Sequence, residues 1–425
     1  MKRYSVLLIV IVMFIVSSCN KEGCTDPLAT NYNAEAKKDD GSCLLLDGGI
    51  TKLDCRLFEQ SGTSYTLIDK GLPVDYIVDC QMVVNGDLII MPGVCIEFLA
   101  DAGFAIYEDG SIQAVSTSDA PIKFTGLDKI RGAWSGIYIE STDVKNKLDG
   151  VIIEYAGGSA FNSNDDRGAV IIYGGTKAKV ENCSISNSAA YGINATYHDC
   201  DILLNNNIIT TCLKPIYTNA NYIGSISGGA YTGNDQDVVY IDTYDGGGIY
   251  NAATWNNLEI PYQVKTGGSL QVIDVNLTIL PGVIIKFETG TALKIQDNSS
   301  LKALGTASNP IRFTGVDGLP GSWENIEFNF TQSALNEIGH AIIEFSGAPD
   351  AKGAISMWAN PKINVHDVVF RQITTCAFYD APKSSPGSQS VNPNLTSTNN
   401  TYETIGNQYN EDTDPANSSY CFGWW

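Results

Sequence analysis

The chain has little charge, and what it has is lopsided. Only 17% of its 425 residues are charged, with 26 Lys and Arg against 47 Asp and Glu and a formal net charge of −21. So few cations exclude a general nucleic-acid binder, which needs Lys and Arg against phosphates. They also disfavour unaided binding of polyanionic sugars. The three histidines, His198, His340 and His366, are scattered without metal-ligand spacing and read as structural. No close pair of Cys-x-x-Cys units is present, which argues against a zinc site. A Gly-x-Ser-x-Gly elbow and a Gly-rich phosphate loop with Lys are both missing. Beyond the N-terminus no stretch carries a helical apolar stripe, and none is apolar over the roughly 20 residues that a membrane span needs.

What is present points to short strands and turns: 41 Gly, 21 Tyr and many Asn, Ser and Thr. The N-terminus is an address. Lys2 and Arg3 precede an apolar run from Val6 to Val16, the layout of a secretory signal. The segment Val16-Ser17-Ser18-Cys19 resembles a bacterial lipobox. That resemblance implies a signal peptide over 1–18, lipidation of Cys19 and attachment to the outer membrane. Cys19-Asn20-Lys21-Glu22 suggests export to the cell surface. Setting Cys19 aside leaves ten of the 11 cysteines, an even number for an oxidising compartment, so disulfides are expected.

Residues 23–43 read GCTDPLATNYNAEAKKDDGSC. This order of residues resembles a short module of secreted and surface proteins of the Bacteroidota. The resemblance implies a Cys24–Cys43 bridge, worth about 3 kcal/mol for a loop of this length. A segment so small has no core of its own and needs a staple. Asp26, Asn31, Asn33, Asp39 and Asp40 offer oxygen ligands for Ca²⁺, although their spacing is not that of an EF-hand loop. The alternative is that they are turn residues bonding their own backbone.

The body carries an internal duplication. Pro92-Gly93-Val94-Cys95-Ile96-Glu97-Phe98 returns as Pro281-Gly282-Val283-Ile284-Ile285-Lys286-Phe287, 189 residues on (92 to 281). At the same offset Pro121, Phe124, Gly126 and Trp134 meet Pro310, Phe313, Gly315 and Trp323. After a one-residue shift Ile153-Glu154-Tyr155 meets Ile343-Glu344-Phe345. The expected organisation is an anchor and loop module over 19–43 and a cap or linker over 44–72. Two repeat halves follow over 73–234 and 260–410, joined by a connector at 235–259, with a C-terminal cap over 411–425. The connector also reads as an ordered coil, so one continuous rod and two tandem rods both remain open.

Within each half, strands alternate inward and outward residues, as in Val94, Ile96 and Phe98 against Cys95 and Glu97. A smaller period appears in Asn182-Cys183-Ser184-Ile185 and Asn206-Asn207-Ile208-Ile209, 24 residues apart (182 to 206). Strands recurring at one coil length with Asn at the turns suit stacked coils of a parallel β-helix, and a β-sandwich would not produce that recurrence. The stretch from Leu280-Pro281-Gly282-Val283 through Asn309-Pro310-Ile311-Arg312-Phe313-Thr314-Gly315 to Gly321-Ser322-Trp323 resembles right-handed parallel β-helix proteins of the pectin-lyase-like superfamily. More narrowly, it is similar to their repeat-containing bacterial surface proteins. The implied fold is all-β, a rod of roughly fourteen coils at about 4.8 Å each. The fold alone does not fix an activity.

Enzymes of that superfamily cleave acidic polysaccharides with an Arg or Lys base, often with Asp-bound Ca²⁺. The best local match to that chemistry is Asp165-Asp166-Arg167, in an insertion longer in the first half than in the second. Glu154 and Glu344 are expected outward and solvated. Tyr222, Tyr231, Tyr240, Tyr244 and Tyr250 crowd one region, mostly as packing residues. Trp134 and Trp323 are expected to pack the repeat. The sequence points to a non-catalytic surface lipoprotein presenting a rod to a glycan or protein ligand. The alternative is an envelope-anchored polysaccharide lyase or glycoside hydrolase.

Overall fold

A computed structural model describes residues 21–25, 29, 32–40, 49–243, 248–348, 351–381, 391–406, 412–414 and 417–422. The chain is nearly all β, and its long-range strand pairing is parallel apart from one antiparallel pair at the C-terminal end. Each strand pairs with one about a coil later, never with its neighbour in sequence until that last pair, so the short strands stack as coils. The arrangement is compatible with a parallel β-helix. Asp201–Asn205 and Ile208–Thr210, for example, lie on Lys177–Glu181 and Ser184–Ser186 at the 24-residue step of the Asn period.

Among the described residues the strands form five sheets, of seven, thirteen, seven, eight and six strands. The thirteen-stranded sheet runs without a break from Gln81–Val84 to Thr401–Ile405. Twelve steps of about 4.8 Å give it a length of about 58 Å. Val239–Asp242 belongs to this sheet, so the region expected as a connector carries a rung of it. Residues 49–72 contribute Thr51–Lys52 and Ser64–Leu67 to the first rungs of two other sheets.

The core follows from the register. Inward residues of the long sheet stand directly above one another: Met82, Phe104, Ile137, Val170, Ile193, Ile216, Val239, Tyr262, Ile285 and Phe313. All are fully buried. Each such side chain contributes roughly 1.5–3 kcal/mol only because the coils on either side cover it.

The turns are closed by buried asparagines. Asn207 Oδ1 accepts from the Cys183 amide at 3.0 Å, and its Nδ2 donates to the Val180 carbonyl at 2.8 Å. Asn146 and Asn336 accept from the Ile112 and Leu301 amides at 3.1 and 3.0 Å. Beside them Asn182 and Asn206 hold left-handed backbone, at φ 52° and 56°, and bond side chain to side chain at 2.9 Å. Asn tolerates that region better than most residues, which explains its place there.

Contacts recur at the sequence offset. Trp134 stacks on Phe98 at 4.1 Å and Trp323 on Phe287 at 4.3 Å. Their indole nitrogens donate to the carbonyls of Glu154 and Glu344 at 2.7 and 2.8 Å. Yet the matched strands lie in different sheets. Cys95–Phe98 is in a seven-stranded sheet, whereas Ile284–Phe287 is in the thirteen-stranded one. Gly103–Glu108 is in the thirteen-stranded sheet, and its counterpart Leu293–Gln296 is in the eight-stranded one. Matched surfaces therefore occupy different faces.

Disulfides join Cys55 to Cys80 and Cys376 to Cys421, the latter tying the last strand, Asn417–Phe422, to Cys376–Asp380. Cys24 is also disulfide-bonded, while Cys43 and Cys19 lie outside the described residues. Cys95, Cys183, Cys200 and Cys212 are free thiols. Burial pushes Cys183 up to about 12 and Cys212 up to about 11, which keeps them protonated and inert.

Replacing Asn207 by Ala would leave one buried N–H and one carbonyl unpaired. We expect Asn207→Ala to lower the unfolding free energy by about 1–3 kcal/mol in urea titrations. A loss within about 0.5 kcal/mol, the usual effect of a surface change, would remove the Asn ladder from the account of stability.

Candidate functional site

The outward face of the long sheet carries the richest chemistry. Its outward residues also fall in register, so Ala105, Tyr138, Ile171, Asn194, Tyr217, Tyr240, Gln263 and Lys286 form one file across the sheet. Alternation puts them on the outer side, and aromatic rings from neighbouring positions cover part of the file. Tyr107 lies 5.6 Å from Tyr138, Tyr173 lies 5.5 Å from Tyr138, and Tyr197 lies 3.8 Å from Tyr173. Further along, Tyr191, Tyr217 and Tyr240 succeed one another at 4.6 and 5.3 Å.

Polar groups are set between these rings. Tyr138 donates to Glu140 at 2.9 Å. Tyr217 donates to Asp242, and Lys265 donates to the Tyr217 hydroxyl at 2.6 Å. Gln263 donates to Glu288 at 2.7 Å. The Lys214 ammonium sits 4.4 Å from the Tyr240 ring centre, and burial holds its pKa below the ordinary value. Burial, with Glu140 second, pushes the Tyr107 hydroxyl up, so that hydroxyl stays a neutral donor at physiological pH. At the rim opens a cleft of about 640 Å³ lined by Val83, Asn85, Tyr107, Glu108, Asp109, Glu140, Ser141, Thr142 and Gly174.

The insertion with Asp165, Asp166 and Arg167 packs against this face. Phe161 stacks on Tyr138 at 5.4 Å, in space that a Cβ on Gly103 would invade at 2.7 Å. Asp166 accepts from Asn162 at 2.8 Å and from Tyr197 at 3.0 Å. Arg167 pairs with Asp165 at 2.8 Å. The three side chains thus bond within the loop and to the tyrosine file. Lys352, aligned with Arg167 in sequence, lies 5.9 Å from the Tyr379 ring, and Asp350 lies outside the described residues.

Among the candidate Ca²⁺ ligands, Asp26 and Asn31 lie outside the described residues. Asn33 accepts from the Glu35 amide at 3.1 Å, the bond of a turn. Asp39 and Asp40 are described and have partners. Among the described residues the one convergent group of potential metal ligands is Cys55, Asp79 and Cys80, and its two cysteines are already a disulfide.

Two expectations need correction. Glu344 is not solvated. Its side chain is 0% exposed, held by Arg312 and by Arg371 at 2.6 Å. Burial pushes the carboxyl up, but bonds from Arg312, Arg371 and Thr314 outweigh it, and the pKa lies below the ordinary 4.5. At the matched position Glu154 pairs with Lys123 at 2.8 Å and keeps 22% exposure. The histidines are not all scattered either. The rings of His340 and His366 lie 6.0 Å apart, edge to face, with Glu337 at 3.3 Å and Asp367 at 2.8 Å from His366. One coil step brings them together, since Gly339 faces His366 across the sheet.

Tyr222 and Tyr231 are core, Tyr250 is exposed, and Tyr244 lies outside the described residues. Trp134 and Trp323 are core residues, as expected. Sequence reasoning singled out Tyr240 but missed Tyr107, Tyr138, Tyr173, Tyr191, Tyr197 and Tyr217, which only the coil register unites.

Comparison with protein-family models, curated proteins and solved structures finds no match.

The Glu344 carboxylate carries a pH prediction. Its folded pKa is below the unfolded one, so its contribution is full above pH 4.5 and is lost as pH falls through the folded value. Denaturant midpoints of the wild type should therefore fall on acidification below that point. Glu344→Gln should cost about 1–3 kcal/mol at neutral pH and show a flatter acid limb. An acid limb unchanged by the substitution would contradict the assignment.

Proposed function

We propose that the protein is a non-catalytic bacterial surface lipoprotein that presents a β-helical rod for adhesion, with the outer face of the long sheet contacting glycan. The observation that carries this reading is the tyrosine file, interleaved with Glu140, Asp242, Lys265 and Gln263 along one continuous sheet. Tyr138 and Tyr217 are buried beneath their neighbours, so the half-buried rings of Tyr107, Tyr173, Tyr191, Tyr197 and Tyr240 are the ones that stack on sugar faces, while carboxylates, amides and ammonium groups bond the hydroxyls.

The finer fold belongs to the same proposal. It is a right-handed helix of the pectin-lyase-like kind, built from two homologous halves turned by one sheet relative to each other. Recurrent Phe–Trp stacking and the shift of matched strands between sheets support it. The disulfides Cys55–Cys80 and Cys376–Cys421, with the bonded Cys24, suit an oxidising envelope compartment, and the signal with Cys19 supplies the anchor. The lyase or hydrolase alternative rests on Asp165, Asp166 and Arg167, whose side chains are engaged with each other and with Asn162 and Tyr197.

The test is incubation of the mature chain with a panel of neutral and acidic polysaccharides, each sized afterwards by chromatography. At least one neutral polymer should co-elute with the protein at unchanged length. Tyr240→Ala should weaken that retention about tenfold, the effect of losing one stacked ring. Shortening of any polymer would make the protein a catalyst, and retention of none would remove the glycan-contact reading.

A further inference from the structure

The cleft at the rim of the long sheet differs in kind from the rest of that face. Glu108, Asp109 and Glu140 line it with the ring of Tyr107, and no Lys or Arg does. Further along the face Asp242 meets a cation, Lys265, at 3.5 Å. Asn85, also in the lining, donates through its Nδ2 to the Glu59 carbonyl at 3.0 Å.

The matched position 189 residues on is an internal comparison. There Tyr107, Glu108, Asp109 and Glu140 become Gln296, Asp297, Asn298 and Asn329. The strand pairing is the same, Tyr107 facing Glu140 and Gln296 facing Asn329. But Asn329 donates to Gln296 at 3.3 Å and to Glu327 at 2.6 Å, so amides close on their neighbours. The fold therefore does not require the ring of Tyr107 or the carboxylates of Asp109 and Glu140, while Asp297 keeps a carboxylate where Glu108 stands.

We propose that this cleft seats a protonated amine, and that the ligand is a glycan containing a free amino sugar, an inference that rests on the glycan-contact reading above. The Tyr107 ring offers its negative face to the cation, and Glu140, Glu108 and Asp109 supply acceptors for its N–H groups. A divalent metal fits less well, because these carboxylates are not among the convergent ligand groups of the described residues. The volume, about 640 Å³, admits one or two sugar rings.

The experiment is calorimetric titration of the full mature chain with a β-1,4-linked glucosamine tetramer and with its fully N-acetylated form, in chelator. The two probes share a backbone and differ in charge. The amine form should bind at least about tenfold more tightly, and the preference should vanish above the pH at which the amine loses its proton. Glu140→Gln keeps an acceptor for Tyr138 and should weaken the amine form about fivefold or more. Asp109→Asn, exposed and outside the Tyr138 bond, should act in the same direction and controls for misfolding. Equal binding of the two probes, or unchanged affinity in both variants, would overturn the inference while leaving glycan contact intact. The same holds if neither probe binds but a neutral polymer is retained. Retention of no saccharide at all would bring down the glycan-contact reading and this inference with it.

Discussion

Everything in this molecule depends on one constraint: no coil has a core of its own. Each turn of chain is covered only by the turns before and after it, through parallel ladders that set one residue directly above its counterpart. Register is therefore the main variable. It stacks Ile137 on Phe104 and Val170 on Ile137, and so fills the interior. It also places Asn207 where its amide can close the turn beneath Cys183. A slip of one residue would turn the buried file out to solvent.

The same register builds the outer surface. Residues about one coil apart become neighbours, so groups remote in sequence meet. The rings of Tyr217 and Tyr240 meet at a tilt, His340 meets His366, and Glu344 receives two arginines from flanking strands. An outward strand position is thus not always a wet one. Glu344 points away from the core and is buried all the same, beneath Arg312 and Arg371, whose stems cover it while their charges pair with it.

Much of the fold was legible in the sequence. Alternation of Val94, Ile96 and Phe98 gave inward and outward sides, and the Asn182/Asn206 spacing gave the coil step that the strand pairing repeats. The sheet assignment was not legible, because the two-residue alternation is the same on every sheet. Nothing in the motif at 281 says that it lies in the long sheet while its match at 92 does not. The site was less legible still. Tyr240 stood out in a local cluster, but Tyr107, Tyr138 and Tyr173 are spread over many residues and share a surface only through strand pairing. Asp165-Asp166-Arg167 looked like chemistry because charge clusters are visible in a sequence, whereas their bonds to Asn162 and Tyr197 are not.

The central claim is that the outer face of the long sheet is the contact surface. Its most direct test is tyrosine-selective chemical modification of the mature chain, read residue by residue by mass spectrometry, with and without a retained polymer. The account predicts protection of Tyr107 and Tyr240 on that face, with exposed Tyr32 and Tyr250 reacting as before. Protection of Tyr32 or Tyr250 while Tyr107 and Tyr240 stay reactive would place the contact elsewhere and contradict the account.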